Sequence, residues 1–314
     1  MFAVSGVLPN GTAFAKTVFV PEIPTIVTKG QAVDASWTEG AGGFRGGFKL
    51  NGDLSKITIT LNDTAFAGTI ALDRVGAPAL TSNNKTITDK ASPYFDYLIA
   101  KDQPLNSYQN LLFKEAGWAI AFSNAKAAVN LQVGDYKFVM AAKGYQDKNW
   151  SPLAFDQFIH TWLVTLGTCG PFAIKFFEGQ PKDSKRAMNV VHSGLTYTDT
   201  KGTTILQNHN YLYGDSSVTS YLNVTLTGQA ISQGSGGLAV PSGQIHEFKL
   251  ANGTKYRFEF THSVENPARP VYHRWGLIGK GGRVGGPSYK CNVIGEWLNP
   301  GLVPYQEGVN IFGN

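Results

Sequence analysis

Between Lys255 and Thr261 rings and charges alternate one for one, Tyr256, Phe258 and Phe260 against Arg257 and Glu259. Side chains of an extended strand point alternately to its two faces, so this segment has one apolar face and one wet face. The same period of two runs through Lys56-Ile-Thr-Ile-Thr-Leu61, and Thr69-Ile-Ala-Leu72 follows as its hairpin partner. No segment carries a sustained apolar repeat at helical spacing. A chain patterned this way buries its core between sheets. Its 36 glycines and 12% aromatic content suit many short strands joined by tight turns.

Further strands are expected at Thr17–Val20, Ala32–Trp37, Gly117–Phe122, Ala127–Val133, Tyr136–Ala142, Leu163–Leu166 and Phe172–Phe177. A second set is expected at Val190–Tyr197, Thr203–Leu206, Val218–Thr227 and Gln244–Leu250. Gly134-Asp135 and Asn252-Gly253 read as hairpin turns. The segment 94–113, punctuated by Pro104 and Asn106, reads as a short helix or an irregular loop. The polar stretch from Gly179 to Arg186 marks a plausible boundary. The expected fold class is therefore all-β, with two domains over residues 1–180 and 187–314, each a sandwich or barrel.

Apolar residues make up 42% of the chain and charged residues 16%, the latter well below the ~25% usual in soluble domains. The formal charge of +5 is dispersed, and the interrupted run Lys182-Asp-Ser-Lys-Arg186 is its densest point. A nucleic-acid partner is not expected, nor is a membrane-spanning helix, since no apolar run approaches ~20 residues. Asn10, Asn62, Asn84, Asn223 and Asn252 each head an acceptor pattern for N-glycosylation. They point to a secretory-pathway or secreted protein. Met-Phe-Ala-Val-Ser-Gly has no basic n-region, so either a leader has been removed or the protein is cytosolic and the patterns are chance. Cys169 and Cys291 could form a disulfide or be two buried thiols. They have no companions at zinc-ligand spacing.

The densest chemistry lies between Gly144 and Trp162, where Tyr145, Asp147, Asn149, Trp150, Phe155, Asp156, Phe158, His160 and Trp162 crowd together. The stretch is expected on a connection between buried strands, where binding residues concentrate. It could equally be a turn that hydrogen-bonds its own backbone and buries its Trp as core. No Gly-x-Ser-x-Gly or His-Glu-x-x-His appears, and Gly279–Gly286 does not match a dinucleotide fingerprint. A glycosidase-like pair of carboxylates across a cleft remains open, because distance is not visible in sequence.

Three separated motifs carry a resemblance. They are Lys143-Gly-Tyr-Gln-Asp-Lys-Asn-Trp150, then His160-Thr-Trp162, then Arg274-Trp-Gly-Leu-Ile-Gly-Lys-Gly-Gly-Arg-Val-Gly-Gly286 with Gly295-Glu-Trp297. The chain resembles the carotenoid hydratase (hydroxyneurosporene synthase) superfamily and, within it, the fungal lipocalin-like Diels–Alderases of natural-product biosynthesis. Those carry Gly-Tyr-His-Asp-x-Asn-Trp-Gly, a Trp-Tyr-Trp-Gly strand and a closing Arg-Trp…Gly-Gly…Glu segment. Here the motif His is Gln146, the Gly after Trp150 is Ser151, and the aromatic strand keeps one Trp, Trp162. Losing the His removes an acid from the place where water addition would need it.

The resemblance implies two lipocalin-like β-barrel or sandwich domains with an apolar pocket between or within them. It implies a [4+2] cyclase for a hydrophobic terpenoid or polyketide substrate, acting without a cofactor or metal. A hetero-Diels–Alder reaction of an enone or quinone methide is the specific expectation. The alternatives are an isoprenoid hydratase or dehydratase, and a lipocalin-like carrier of a hydrophobic metabolite. Candidate polarising or acid–base groups are Asp147, His160 and His273. Candidate substrate walls are Trp118, Tyr145, Trp150, Trp162, Trp275 and Trp297, each of which could instead be core packing. His160 could equally be a satisfied core or solvent histidine. Asn149 is expected to cap a turn and Glu296 to pair with Arg274.

Overall fold

A computed structural model describes residues 2–8, 10–20, 23–37, 45–76, 117–232, 236–307 and 311. Among the described residues there are twenty strands, two single-turn 3-10 helices and no α-helix, as the period-two pattern requires. The expected helix or loop over 94–113 and the acceptor Asn84 lie outside the described residues.

The chain forms two compact units. One comprises Met1–Ala79, Ile87–Pro93 and Ala121–Gln146, the other Leu80–Thr86, Tyr94–Ile120 and Asp147–Asn314. The first contains a hairpin of β1 (Phe2–Val7) and β2 (Ala13–Val18). Its main sheet runs in chain order through β3 (Thr25–Lys29), β4 (Ala32–Trp37), β5 (Arg45–Leu50), β6 (Lys56–Asn62), β7 (Phe66–Arg74), β8 (Gly117–Val133) and β9 (Tyr136–Trp150). Alternation in β6 sends Ile57 into a core cluster with Leu72 and Phe122, and Leu61 into another with Phe66, Leu131 and Val133. Gly117–Phe122 and Ala127–Val133, expected as two strands, are one continuous strand, because Ser123–Lys126 stays extended and pairs with β7 at its end.

The second correction matters more. Strand β9 does not stop at Ala142 but continues through Gly144-Tyr-Gln-Asp-Lys-Asn-Trp150. The motif expected on a connection is thus half of a long strand, and it crosses from the first unit to the second between Gln146 and Asp147.

The second unit holds β10 (Ile159–Cys169), β11 (Phe172–Pro181), β12 (Val190–Asp199), β13 (Gly202–Leu212), β14 (Tyr221–Thr227), the short pair β15 (Ala230–Ser232) and β16 (Leu238–Val240), then β17 (Gly243–Lys249), β18 (Lys255–Arg269), β19 (Tyr272–Arg283) and β20 (Tyr289–Leu298). Nine of them form one antiparallel sheet in the order β13-β12-β11-β10-β20-β19-β18-β17-β14. The stretch Gly179–Arg186, expected as a boundary, covers the end of β11 and the start of its link to β12, its neighbour in this sheet. Its polarity comes from a turn around Arg186–Met188 rather than from a domain linker.

The sheet curls until its end strands meet. No backbone ladder joins β13 to β14; side chains do. The Tyr211 hydroxyl accepts from the Leu222 N–H at 2.9 Å and donates to the Leu222 carbonyl at 3.1 Å. His209 Nε2 donates to the Ser220 carbonyl at 2.5 Å. The core inside the curl includes Phe172, Phe176, Phe248, Phe258 and Trp275. Cys169 and Cys291, opposite each other on β10 and β20, form a disulfide with an S–S distance of 2.01 Å. The glycine tract of β19 is strand. A Cβ on Gly279 would fall 2.0 Å from the Glu259 carbonyl oxygen, so only glycine lets β18 and β19 approach there.

Candidate functional site

Register across the nine-stranded sheet divides the candidate residues between its faces. Residues directly opposite in antiparallel strands share a face. One row reads Arg274, Glu296, Val164, Phe177, His192 and Asn210 across six strands. The rows beside it contribute Tyr272 and Trp162 on one side and Lys175, Gly194 and Asn208 on the other. Because successive residues alternate, His273, Trp275 and Trp297 belong to the opposite face.

On that opposite face the aromatic rings form a continuous pile. Trp275 stacks between His262 at 4.5 Å and His273 at 5.6 Å, and His273 stacks on Trp297 at 5.5 Å. Two of the three expected residues have hydrogen-bond partners here. His273 Nδ1 sits 2.6 Å from Glu265, and Trp297 Nε1 donates to Thr161 Oγ1 at 2.9 Å. His273, Trp275 and Trp297 are 1–3% exposed. This is core.

The first face is different. An aromatic wall is built from Trp162, with Phe155 at 5.0 Å and Phe177 at 5.9 Å. Phe155 is supplied by the 3-10 turn Phe155–Gln157 that leads into β10. The indole N–H of Trp162 is buried and has no acceptor among the described residues. A buried donor without a partner costs about 1–3 kcal/mol, so such a group calls for an explanation.

Beside the wall stands a polar cluster. Glu296 accepts from Arg274 Nε at 2.8 Å and Nη2 at 2.7 Å, the pairing expected from sequence. Burial raises the Glu296 carboxyl above its ordinary range; Arg274 opposes the rise and the Asp147 charge adds to it. Burial also works against the Arg274 cation, but Glu296 and Tyr272 more than offset it. Burial, then Glu296, pushes the Tyr272 phenol up, so it stays a neutral donor. Asp147, expected as an acid–base group, is thus within electrostatic reach of Glu296, and Asn149 Nδ2 lies 3.4 Å from its carboxylate.

Farther along the same face lies a lysine that sequence reasoning passed over. Lys175 is 3% exposed, with Nζ 3.2 Å from Asn208 Oδ1. Its stem lies over Gly194, where a Cβ would come within 2.5 Å of Lys175 Cε. Burial lowers its pKa to about 7. Burial and then the Lys175 charge lower neighbouring His192 to about 3, so that imidazole is neutral. The one visible signal was a lone cation in the apolar run Phe172-Ala-Ile-Lys-Phe-Phe177. A lysine held below its unfolded pKa makes the unfolded chain bind more protons between pH 7 and 10.5, so stability rises with pH across that window. Lys175→Met is expected to abolish that rise, about 1 kcal/mol per pH unit, and to stabilise the fold most near neutrality. Urea midpoints of both proteins from pH 6 to 10 check it. Parallel pH curves would refute it.

His160 sits at the bulge that opens β10, its ring against Gly301, where a Cβ would lie 2.4 Å from Cε1. Tyr145 is half-buried in the first unit. The side chains of Trp118 and Trp150 lie outside the described residues. No cluster of three or more His, Cys, Asp or Glu at metal-binding geometry exists among the described residues, and no described helix is long and apolar enough to cross a membrane.

Comparison with known proteins adds the following. A family model described as Diels-Alderase-like matches residues 2–235. Among solved structures, CghA superposes with a TM-score of 0.68 at 17% identity, covering 95% of this chain and 80% of that one. CghA with Sch210972 gives a TM-score of 0.67 at 17% identity, covering 95% and 79%. Kievitone hydratase from Nectria haematococca gives 0.47 at 10% identity, covering 95% and 87%. The CghA structures share this fold. No curated protein sequence matches the chain.

Proposed function

The chain belongs to the Diels-Alderase-like family, a family of enzymes of the pericyclase kind, and on that premise we propose that it catalyses a stereoselective [4+2] cycloaddition on a hydrophobic natural-product precursor. The observation that carries the proposal to particular residues is the buried, unpartnered N–H of Trp162 in an aromatic wall. A cycloaddition turns π bonds into two σ bonds with no atom gained or lost. The protein has to hold one folded conformer, which supplies up to about 7–11 kcal/mol in the best cases. It can lower the barrier further by hydrogen-bonding an oxygen conjugated to the diene.

In this scheme Trp162, Phe155 and Phe177 hold the folded chain of the substrate, and the Trp162 N–H donates to its conjugated oxygen. Arg274, with N–H groups beyond the two given to Glu296, offers further donors on the same face. Asp147 and His160 keep the polarising or proton-holding roles proposed from sequence. His273, in the opposite face, holds the aromatic pile in place. An oxygen-bearing diene, an enone or quinone methide, would suit these donors, and a hetero-Diels–Alder reaction on a terpenoid alkene is the specific form proposed.

A second possibility, water addition to or loss from an isoprenoid, draws support from one observation. Glu296 carries a raised pKa beside Asp147, as a general acid would. Deleting the gene in its host and adding purified protein back to the extract separates the cases by mass spectrometry. The expected outcome is accumulation of an uncyclised or stereochemically scrambled precursor, which the protein converts to one isomer of identical mass. Its rate should vary little with pH. Conversion that changes mass by one water, with a rate falling as pH rises through the Glu296 pKa, establishes the hydratase instead. A copurifying metabolite with no conversion establishes a carrier.

A further inference from the structure

The place where the curled sheet closes on itself is also where it is hollow. Under the side-chain seam between β13 and β14 lies a cleft of 730 Å³, within the ~300–1,000 Å³ usual for small-molecule sites. None of the residues named above around Trp162 and Arg274 lines it. Its lining combines Phe248 and Leu222, both in the core, with four tyrosines, Tyr211, Tyr213, Tyr221 and Tyr256. Tyrosine rings present flat apolar faces and a polar tip, which favours stacking of a planar ligand.

The rim decides the charge. Arg257 is committed to Glu247 at 2.5 Å and Glu259 at 2.9 Å. Asp215, held in its own turn by the Ser217 backbone N–H at 2.9 Å and hydroxyl at 2.7 Å, keeps its single negative charge on the rim. Lys249 and Lys255 remain. Both are exposed and neither has a carboxylate at ion-pair distance among the described residues; Lys249 Nζ rests 5.6 Å from the Tyr221 ring centroid. Two uncommitted ammonium groups over an aromatic cleft present a complementary field to an anion with a ring attached.

We propose that this cleft is a second binding site, distinct from the residues around Trp162, for a planar aromatic anion such as an aryl carboxylate or aryl sulfonate. The ring stacks among the tyrosines and the anionic group meets Lys249 and Lys255. The inference does not depend on the chemistry proposed for the other face.

The test uses 8-anilinonaphthalene-1-sulfonate as the anionic probe and N-phenyl-1-naphthylamine as its neutral counterpart, titrated by fluorescence into the full chain. The double variant Lys249→Glu/Lys255→Glu changes only exposed side chains, and its thermal midpoint is checked first. The expected result is a loss of affinity of about tenfold or more for the sulfonate and little change for the amine. Added salt should weaken sulfonate binding to the parent protein but not to the variant. Tyr213→Ser should weaken both probes. Sulfonate binding that survives the double variant unaltered, or no saturable binding to the parent protein, would overturn the proposal.

Discussion

Reducing the Cys169–Cys291 disulfide is expected to lower the unfolding free energy by about 5 kcal/mol. The bond joins residues 122 apart in sequence, and in the chain-entropy account a crosslink stabilises by restricting the unfolded chain, more for longer loops. It sits between neighbouring strands β10 and β20, where both sulfurs are buried in the core, at 0% and 2% exposure. Reduction therefore leaves the folded sheet paired through its backbone ladder, and the loss falls on the unfolded side. Urea denaturation of one preparation with and without dithiothreitol measures it without changing the sequence. The midpoint should fall, and the slope should rise as the reduced unfolded chain expands. The variant Cys169→Ala/Cys291→Ala should match the reduced protein and respond no further to dithiothreitol. An unchanged midpoint on reduction would mean that the bond constrains nothing that the ladder does not already hold.

Trp162→Phe is expected to reduce kcat roughly a hundredfold, the low end of what losing a single oxyanion-type donor costs. KM should move far less, because Phe keeps an aromatic face toward Phe155 and Phe177. Stability offers the control. The substitution removes a buried donor that has no acceptor, which favours the fold, and loses ring volume, which disfavours it. The two effects oppose, so the urea midpoint should stay close to that of the parent protein. A protein nearly as stable but much slower is the signature of a group kept for its substrate rather than for packing. Trp162→Ala, which also removes the wall, should lose both stability and binding. If Trp162→Phe turns over at the parental rate, the N–H donates to nothing in the reaction, and Arg274 becomes the donor to test.

The strands themselves were legible. Lys56–Leu61 and Lys255–Thr261 show their inward residues by alternation alone, and Asn252-Gly253 marks its hairpin through the positive φ that glycine tolerates, 83° here. The Arg274–Glu296 pair was also legible, since both lie in the closing motif and suit cross-strand pairing. Strand lengths were not. The polar residues of Ser123–Lys126 and Gly144–Trp150 read as breaks, because a partly exposed strand can carry polar side chains without the alternation that marks it. Lys175 was lost for a different reason, within a strand buried along its whole length, where alternation disappears.

From its sequence alone this chain is committed to sheet. Alternating side chains leave it no helical face to bury, and three ordered motifs point to its family. Which of those motif residues meet was settled only by register. Arg274 and Trp275 are neighbours in sequence, yet one faces the Trp162 wall and the other is sealed in the core. Alternation tells which residues share a face within a strand, but not which strand lies beside it. That was decided when β10 paired with β20 across more than a hundred residues of intervening chain, placing Val164 opposite Glu296 and Leu163 opposite Trp297. A one-residue slip in that ladder would exchange the two faces, and the burial of two tightly packed sets of side chains is what forbids it.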